Sequence, residues 1–316
     1  MKSSLNTVID ELLESAAMPL QVSLYHLSDL ETGQAAQVRE IWPCLPVELR
    51  RQITARLAEL AEADFEVNFS EVFRVGLDDE DAEVRVAAVE GLWEDEDVRL
   101  VPSLVTRLRE DESAAVRAAA ATSLGRFILL GELRKIRPGP YSMAYEALLV
   151  THQDEAESIE ARRRALESLA YVSNETVVKQ IRQAYAEPHE KMRISAVFAM
   201  GRSADRRWAR EVQQELRSPN PELRYEAALA CGKIQLPDAV PELEELAEDA
   251  DTEVQEAALW ALGQIGGERA RQILEHYCSS TDEATRSAAQ AAVDELEFLH
   301  GDLSELFTRL ISESEL

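Results

Sequence analysis

Apolar and polar positions alternate along this chain with the period of an α-helix, and the pattern repeats at a longer interval. An apolar residue is followed by Arg, two or three small residues, an apolar residue seven after the Arg and often Gly at eight. The copies are LRRQITARLA at Arg50, VRVAAVEGLW at Arg85, VRAAAATSLG at Arg117, ARRRALESLA at Arg162, MRISAVFAMG at Arg193, LRYEAALACG at Arg224, VQEAALWALG at Gln255 and TRSAAQAAVD at Arg286. The last five stand 31 residues apart, a length that fits two helices of roughly 10 to 14 residues and two short turns.

Positions three and seven after the Arg share one helix face. Position three is Ile53, Ala88, Ala120, Ala165, Ala196, Ala227, Ala258 and Ala289, small enough for close helix approach. Position seven is Leu57, Leu92, Leu124, Leu169, Met200, Cys231, Leu262 and Val293, which fill the space between neighbouring pairs. Four residues before the Arg, Asp81, Ser113, Ser158, Asn220, Asp251 and Asp282 are suited to cap a helix start, whereas His189 and Pro46 take that place in the other two copies. The expectation is an all-α fold of about eight antiparallel helix pairs over residues 21–298.

The phrases VRAAAATSLG, LRYEAALACGKI and ALWALGQIGG resemble the short HEAT repeats named after phycobilisome lyases, over roughly residues 22 to 298. The resemblance implies a right-handed α-solenoid in which the Arg-bearing helix lines the concave side, its partner lies on the convex side, and the Arg ties adjacent repeats. Such repeats occur in scaffolds, in bilin lyases and in deoxyhypusine hydroxylase, so the resemblance specifies fold more than function.

The register breaks between Arg117 and Arg162, a step of 45 residues. This predicts an insertion at about 126–145: one helical turn plus a loop marked by Gly131, Pro138, Gly139 and Pro140. It holds a basic island, Arg126, Arg134, Lys135 and Arg137, which reads as the solvated charges of a longer loop or, alternatively, as a contact to an acidic partner or the chain's own acidic rim. Residues 1–20 contain an amphipathic segment (Leu5, Val8, Ile9, Leu12, Leu13) and residues 299–316 another (Leu303, Leu306, Phe307, Leu310). Both read as helical caps of the stack, the first alternatively as a docking arm.

Composition narrows the function classes. Sixty acidic residues against 33 basic ones give a net charge of -27, which disfavours nucleic acid and anionic membranes as partners. No uninterrupted apolar run has the length of a membrane span and the N-terminus lacks a signal-like core, so the expected location is the cytoplasm. Cys44, Cys231 and Cys278 lack metal or disulfide spacing and read as buried thiols, and Trp93 reads as packing. The acidic runs Asp78–Asp81, Glu94–Asp97, Glu110–Glu112 and Glu248–Asp251 read as solvated turns rather than calcium loops. The diiron site of deoxyhypusine hydroxylase needs repeated His-Glu pairs, and His189-Glu190 stands alone. No catalytic residue, metal or cofactor is expected, and the chain reads as a non-enzyme.

What remains is a surface. Positions one, five and nine after the Arg point away from the seam, and position five of three consecutive repeats is Phe198, Leu229 and Trp260. Position one adds Ile194 and Tyr225; position nine adds Tyr171, Arg202, Lys233 and Gln264. Either these side chains line a peptide-sized groove or Phe198, Leu229 and Trp260 pack into the core. The expected function is a scaffold or adaptor that holds a partner protein or peptide on the concave face. The alternative is a bilin lyase subunit or related assembly factor, with Tyr171, Tyr225 and Trp260 stacking on a tetrapyrrole and Arg202 or Lys233 pairing with its propionates.

Overall fold

The computed structural model describes residues 5–15 and 18–300, and the predicted cap at 299–316 lies almost wholly outside them. Among the described residues every element is helical, and the chain divides into two compact units, residues 1–169 and 170–316.

The first unit contains α1 (Leu5–Ser15), α2 (Gln21–Leu24), α3 (Thr32–Ile41), α4 (Val47–Ala63), α5 (Ser70–Gly76), α6 (Ala82–Gly91), α7 (Leu100–Glu110), α8 (Ala114–Glu132), α9 (Pro138–Gln153) and α10 (Ile159–Leu169). The second contains α11 (Glu175–Ala186), α12 (Glu190–Arg202), α13 (Ala209–Glu215), α14 (Pro221–Ile234), α15 (Val240–Leu246), α16 (Thr252–Ile265), α17 (Glu268–Tyr277) and α18 (Glu283–His300). All eight repeat copies fall on the even-numbered helices from α4 to α18. Within each unit these pack side by side, α4 to α10 in one and α12 to α18 in the other, each with its odd-numbered partner in a second layer. The unit of each stack is thus an antiparallel helix pair.

Position three is fully buried in every copy, as is position seven in all but the last, where Val293 is half-exposed. Position eight explains the spacing of the layer. A methyl group placed on Gly201 would come within 2.8 Å of Ala230 Cα, one on Gly232 within 3.0 Å of Ala261 Cα, and one on Gly263 within 2.6 Å of the Ala292 carbonyl oxygen. Each glycine meets position six of the next repeat, so helix backbones touch where side chains would hold them apart.

Three of the repeat arginines, Arg85, Arg117 and Arg224, do two jobs at once. Arg85 Nη1 donates to the carbonyls of Asp79 (2.7 Å) and Glu80 (3.0 Å) in its own inter-helix turn, while Nε and Nη2 grip Asp111 in the following turn at 2.8 Å each. Arg117 repeats this with the Asp111 and Glu112 carbonyls and the Glu157 carboxylate, and Arg224 with Ser218, Pro219 and Asp249. Asp79, Asp111 and Asp249 also accept the N–H two residues on, holding the turn that starts the next helix. Gln255 keeps only the first job, donating to the Asp249 carbonyl. One carboxylate in each of three acidic runs, Asp79, Asp111 and Asp249, is therefore a receptor for this ladder rather than a solvated charge. Asp79 and Asp111 are buried, and Asp79 takes Arg50 and also accepts from Trp42 Nε1 at 2.6 Å, whereas the Glu94–Asp97 run binds Arg74 of α5 instead.

Asp81, Ser158, Asn220, Asp251 and Asp282 cap their helices as expected. Ser113 occupies the position without a side-chain capping bond, its N–H donating to the Asp111 carboxylate. The insertion is mostly helix: α8 runs on to Glu132, Gly131 lies inside it under the Tyr141 ring, and the turn shrinks to residues 133–137 before Pro138 opens α9. By length and composition α8 could cross a membrane, yet α6, α7, α9 and α10 all pack on it as the core of its unit. At the N-terminal end α1 buries Leu5, Val8 and Leu12, lies against α3, and leaves Leu13 exposed.

Two outcomes follow. Gly263→Leu should lower stability by about 1–3 kcal/mol or more in urea unfolding, through overpacking against Ala292, while Gly139→Ala, which meets nothing within 4 Å, should not. The second concerns acid. Hydrogen bonding from Arg51 holds Asp81 down from 3.8 to about 2; Arg224 lowers Asp249, and in Asp111 the Arg85 bond and the Ser113 N–H outweigh burial, which alone would raise it. Folded-state values below unfolded ones mean stability that is complete above about pH 4 and lost as pH falls toward 2. Asp249→Asn should flatten that loss when urea midpoints are compared between pH 4 and pH 2.5, and an unchanged slope would contradict the ladder.

Candidate binding surface

The even-numbered helices of the second unit present one continuous face beyond the buried seam. Tyr171, Phe198, Tyr225, Leu229 and Trp260 are each half-exposed on it. Position five therefore surfaces in three successive helices, α12, α14 and α16, whose backbones the glycines hold close. At helix spacings of about 8–10 Å the row is on the order of 20 Å long.

The row is held in place by its flanks. The Arg202 guanidinium lies over two rings, 4.4 Å from the Phe198 centroid and 4.5 Å from that of Tyr171. Lys233 Nζ sits 5.4 Å from the same Phe198 ring. Partial desolvation there pulls the lysine pKa down; Glu226 opposes the shift and the like charge of Arg202 adds to it. Burial raises the Tyr225 hydroxyl pKa, helped by the charges of Glu226, Glu253 and Glu256. Trp260 is seated over Gly232, whose added methyl would come within 2.7 Å of its Cζ3. Aromatic rings in cation–π contact and an indole seated on a glycine form a pre-ordered surface.

Two predicted members depart from this picture. Ile194 is only 6% exposed although it shares the helix position of half-exposed Tyr225; its stretch of α12, Ile194 to Val197, is buried throughout. It belongs to the core. Gln264 is half-exposed, but its side-chain Nε2 donates to Glu295 at 3.2 Å and its main-chain carbonyl accepts from Gln235 Nε2, so it joins repeats.

Elsewhere the side chains with chemical potential are committed or isolated. Burial pushes the Cys231 thiol up to about 12, Cys278 is half-exposed, and Cys44, expected to be buried, is exposed. Arg126 does not join a basic island: its Nη1 donates to the Leu92 and Trp93 carbonyls at the end of α6, and its guanidinium lies 4.9 Å from the Phe127 ring. Among the described residues no cluster of three or more His, Cys, Asp or Glu is placed to hold a metal ion.

Trp93 is the surface residue that the repeat pattern misplaced. Position eight lies inside the helix in copies that carry Gly there, but α6 ends at Gly91, so Trp93 stands in the following turn and is 52% exposed.

The family model for HEAT repeats matches residues 70–136 and 209–294. Among solved structures, yeast importin-beta (Kap95p) is similar at 12% identity, the match covering 92% of this chain and 46% of that one with a TM-score of 0.55. YibA of E. coli matches at 18% identity over 78% of this chain and 96% of that one, with a TM-score of 0.46. The complex of CpcE and CpcF of phycocyanin lyase from Nostoc sp. matches at 20% identity over 62% and 76%, with a TM-score of 0.45. No curated protein matches in sequence. The likeness to importin-beta concerns the fold alone. The chain thus carries HEAT repeats in two stretches, one in each unit, both built from the same helix pair and the same arginine-to-turn bonds.

Proposed function

We propose that this chain is a non-catalytic scaffold or adaptor that holds a segment of a partner protein across α12, α14 and α16. The observation that carries the reading is the row Phe198, Leu229 and Trp260: three large apolar side chains, half-exposed in register on three adjacent helices, with Arg202 and Lys233 stacked along one edge. Exposed aromatic and Arg side chains on a rigid base are the usual material of binding hot spots. Their conformations are set before a partner arrives, which lowers the entropy cost of association. A helix or extended segment with an apolar stripe and carboxylates on one flank fits the row by shape and charge. The tetrapyrrole alternative gains no separate support from this geometry, since Arg202 already lies against the Tyr171 and Phe198 rings that would stack on such a ligand.

A photo-crosslinking residue at Leu229 should give a discrete protein adduct in the native host, whereas the same residue at exposed Gln183 on α11 should give none. Once that partner is purified, Trp260→Ala should weaken its binding about tenfold or more, with helical content and melting near those of the parent chain. Ile194→Ser should instead lower the melting temperature. Equal adducts at both sites, or a melting collapse in Trp260→Ala, would remove the reading.

A further inference from the structure

The first unit carries a surface that the repeat pattern does not account for. Two turns, after α4 and after α6, border one open cavity of about 670 Å³, and each contributes a solvent-facing ring: Phe65, 84% exposed, and Trp93, 52% exposed. Rings left in water cost the isolated protein hydrophobic free energy, and exposed apolar patches of this kind mark contact surfaces. Neither turn is loose at its base: in the turn after α4 the Glu66 N–H donates to Asp64 Oδ1 and the Asn68 N–H to Ser28 Oγ, and the turn after α6 is held by two arginines. Arg126 of α8 holds the Leu92 and Trp93 carbonyls, and Arg74 of α5 reaches across the cavity floor to Asp95 at 2.6 Å and Asp97 at 3.2 Å.

The cavity's charge is one-sided. Asp29, Glu71, Glu94, Asp95, Glu96 and Asp97 line it against a single cation, Arg74. Arg74 and Arg99 pair with Asp95 and Asp97, whereas Glu94 and Glu96 face solvent with no cation partner among the described residues. An occupant must therefore bring positive charge to the carboxylates and apolar surface or a cation to the rings. The Lys and Arg side chain does both, with an aliphatic stem that lies on an aromatic face and a charged tip.

We infer that this cavity is a second binding site, which takes a Lys/Arg-bearing segment of a partner protein and works independently of the row in the second unit. The stems lie on Phe65 and Trp93, and the charged tips pair with Glu94 and Glu96. A chain of net charge -27 attracts any cationic peptide weakly, so specificity resides in the rings.

The full chain is titrated into three fluorescein-labelled peptides, GSKRLKRGS, GSQQLQQGS and GSEELEEGS, with fluorescence anisotropy as the readout at about 50 and about 300 mM salt. The basic peptide should bind and the other two should not. Trp93→Ser and Phe65→Ser, both at exposed positions that leave the fold intact, should each weaken it about tenfold. Glu94→Gln with Glu96→Gln should weaken it several-fold and reduce the salt dependence, while Phe198→Ser in the second unit should change nothing. Failure of the basic peptide to bind, equal binding of the neutral peptide, or full affinity in both ring variants would each overturn the inference. The last outcome would reduce the effect to general charge attraction.

Discussion

Everything in this fold depends on how one turn is tied to the next, and the tie is a guanidinium with two faces. One edge of the repeat Arg closes the turn of its own helix pair by donating to main-chain carbonyls; the other takes the carboxylate of the following turn in a two-point grip. That carboxylate in turn accepts a main-chain N–H and fixes the start of the next helix. Each rung so sets both the angle of its own helix and the place of its neighbour, within a unit where contacts run only between adjacent pairs. Burying these ions costs desolvation energy, and the complete set of hydrogen bonds offsets it; removal of one partner alone leaves a stranded charge at a cost of about 3–5 kcal/mol in buried cases. Where the rung is cut to Gln255, its carboxylate grip is gone, and the last helix is held by packing, its cap and side-chain bonds such as Gln264 to Glu295 and Arg271 to Glu297.

The glycine seam turns this positional order into a surface. With Gly201, Gly232 and Gly263 drawing α12, α14, α16 and α18 into backbone contact, the residues one turn to the side have nowhere to go but outward. Phe198, Leu229 and Trp260 are thus exposed because of the same close packing that buries position three. Their conformations owe little to the core and much to one another's flanks, as the placement of Arg202 across two rings shows. A rigid layer that displays large side chains at helix spacing suits recognition, whereas burial and the charge of Glu242 push the Cys231 thiol up to about 12.

Much of this was legible in the residues. Repeat length, seam positions and most caps follow from periodicity, because burial on one helix face is a local rule that survives tertiary context. What resisted was whatever depends on where a helix stops or on which long side chain reaches what. Trp93 was misplaced since the α6 pattern continues in sequence two residues beyond the helix end; Arg126 looked like surface charge, though its stem carries the guanidinium back onto the α6 carbonyls. The acidic turns looked solvated, since composition alone does not say that Asp79, Asp111 and Asp249 face Arg50, Arg85 and Arg224 of the preceding repeat. Ile194 failed because burial at one repeat position is not uniform: Val86, Ala118 and Tyr225 are half-exposed there, whereas the surrounding stretch of α12 is buried.

The tie between turns is best tested by a double-mutant cycle at Arg224 and Asp249. Arg224→Gln installs the side chain that the next repeat already uses at this position, so it can keep the bond to its own turn and lose only the grip on Asp249. Combined with Asp249→Asn in urea unfolding, it isolates the rung between repeats. A coupling energy of about 1–2 kcal/mol, weakening as pH falls below 4, is the result this account predicts. Additive single effects, with coupling near zero at neutral pH, would mean that packing alone sets the register of the helices and that the arginine ladder is incidental to it.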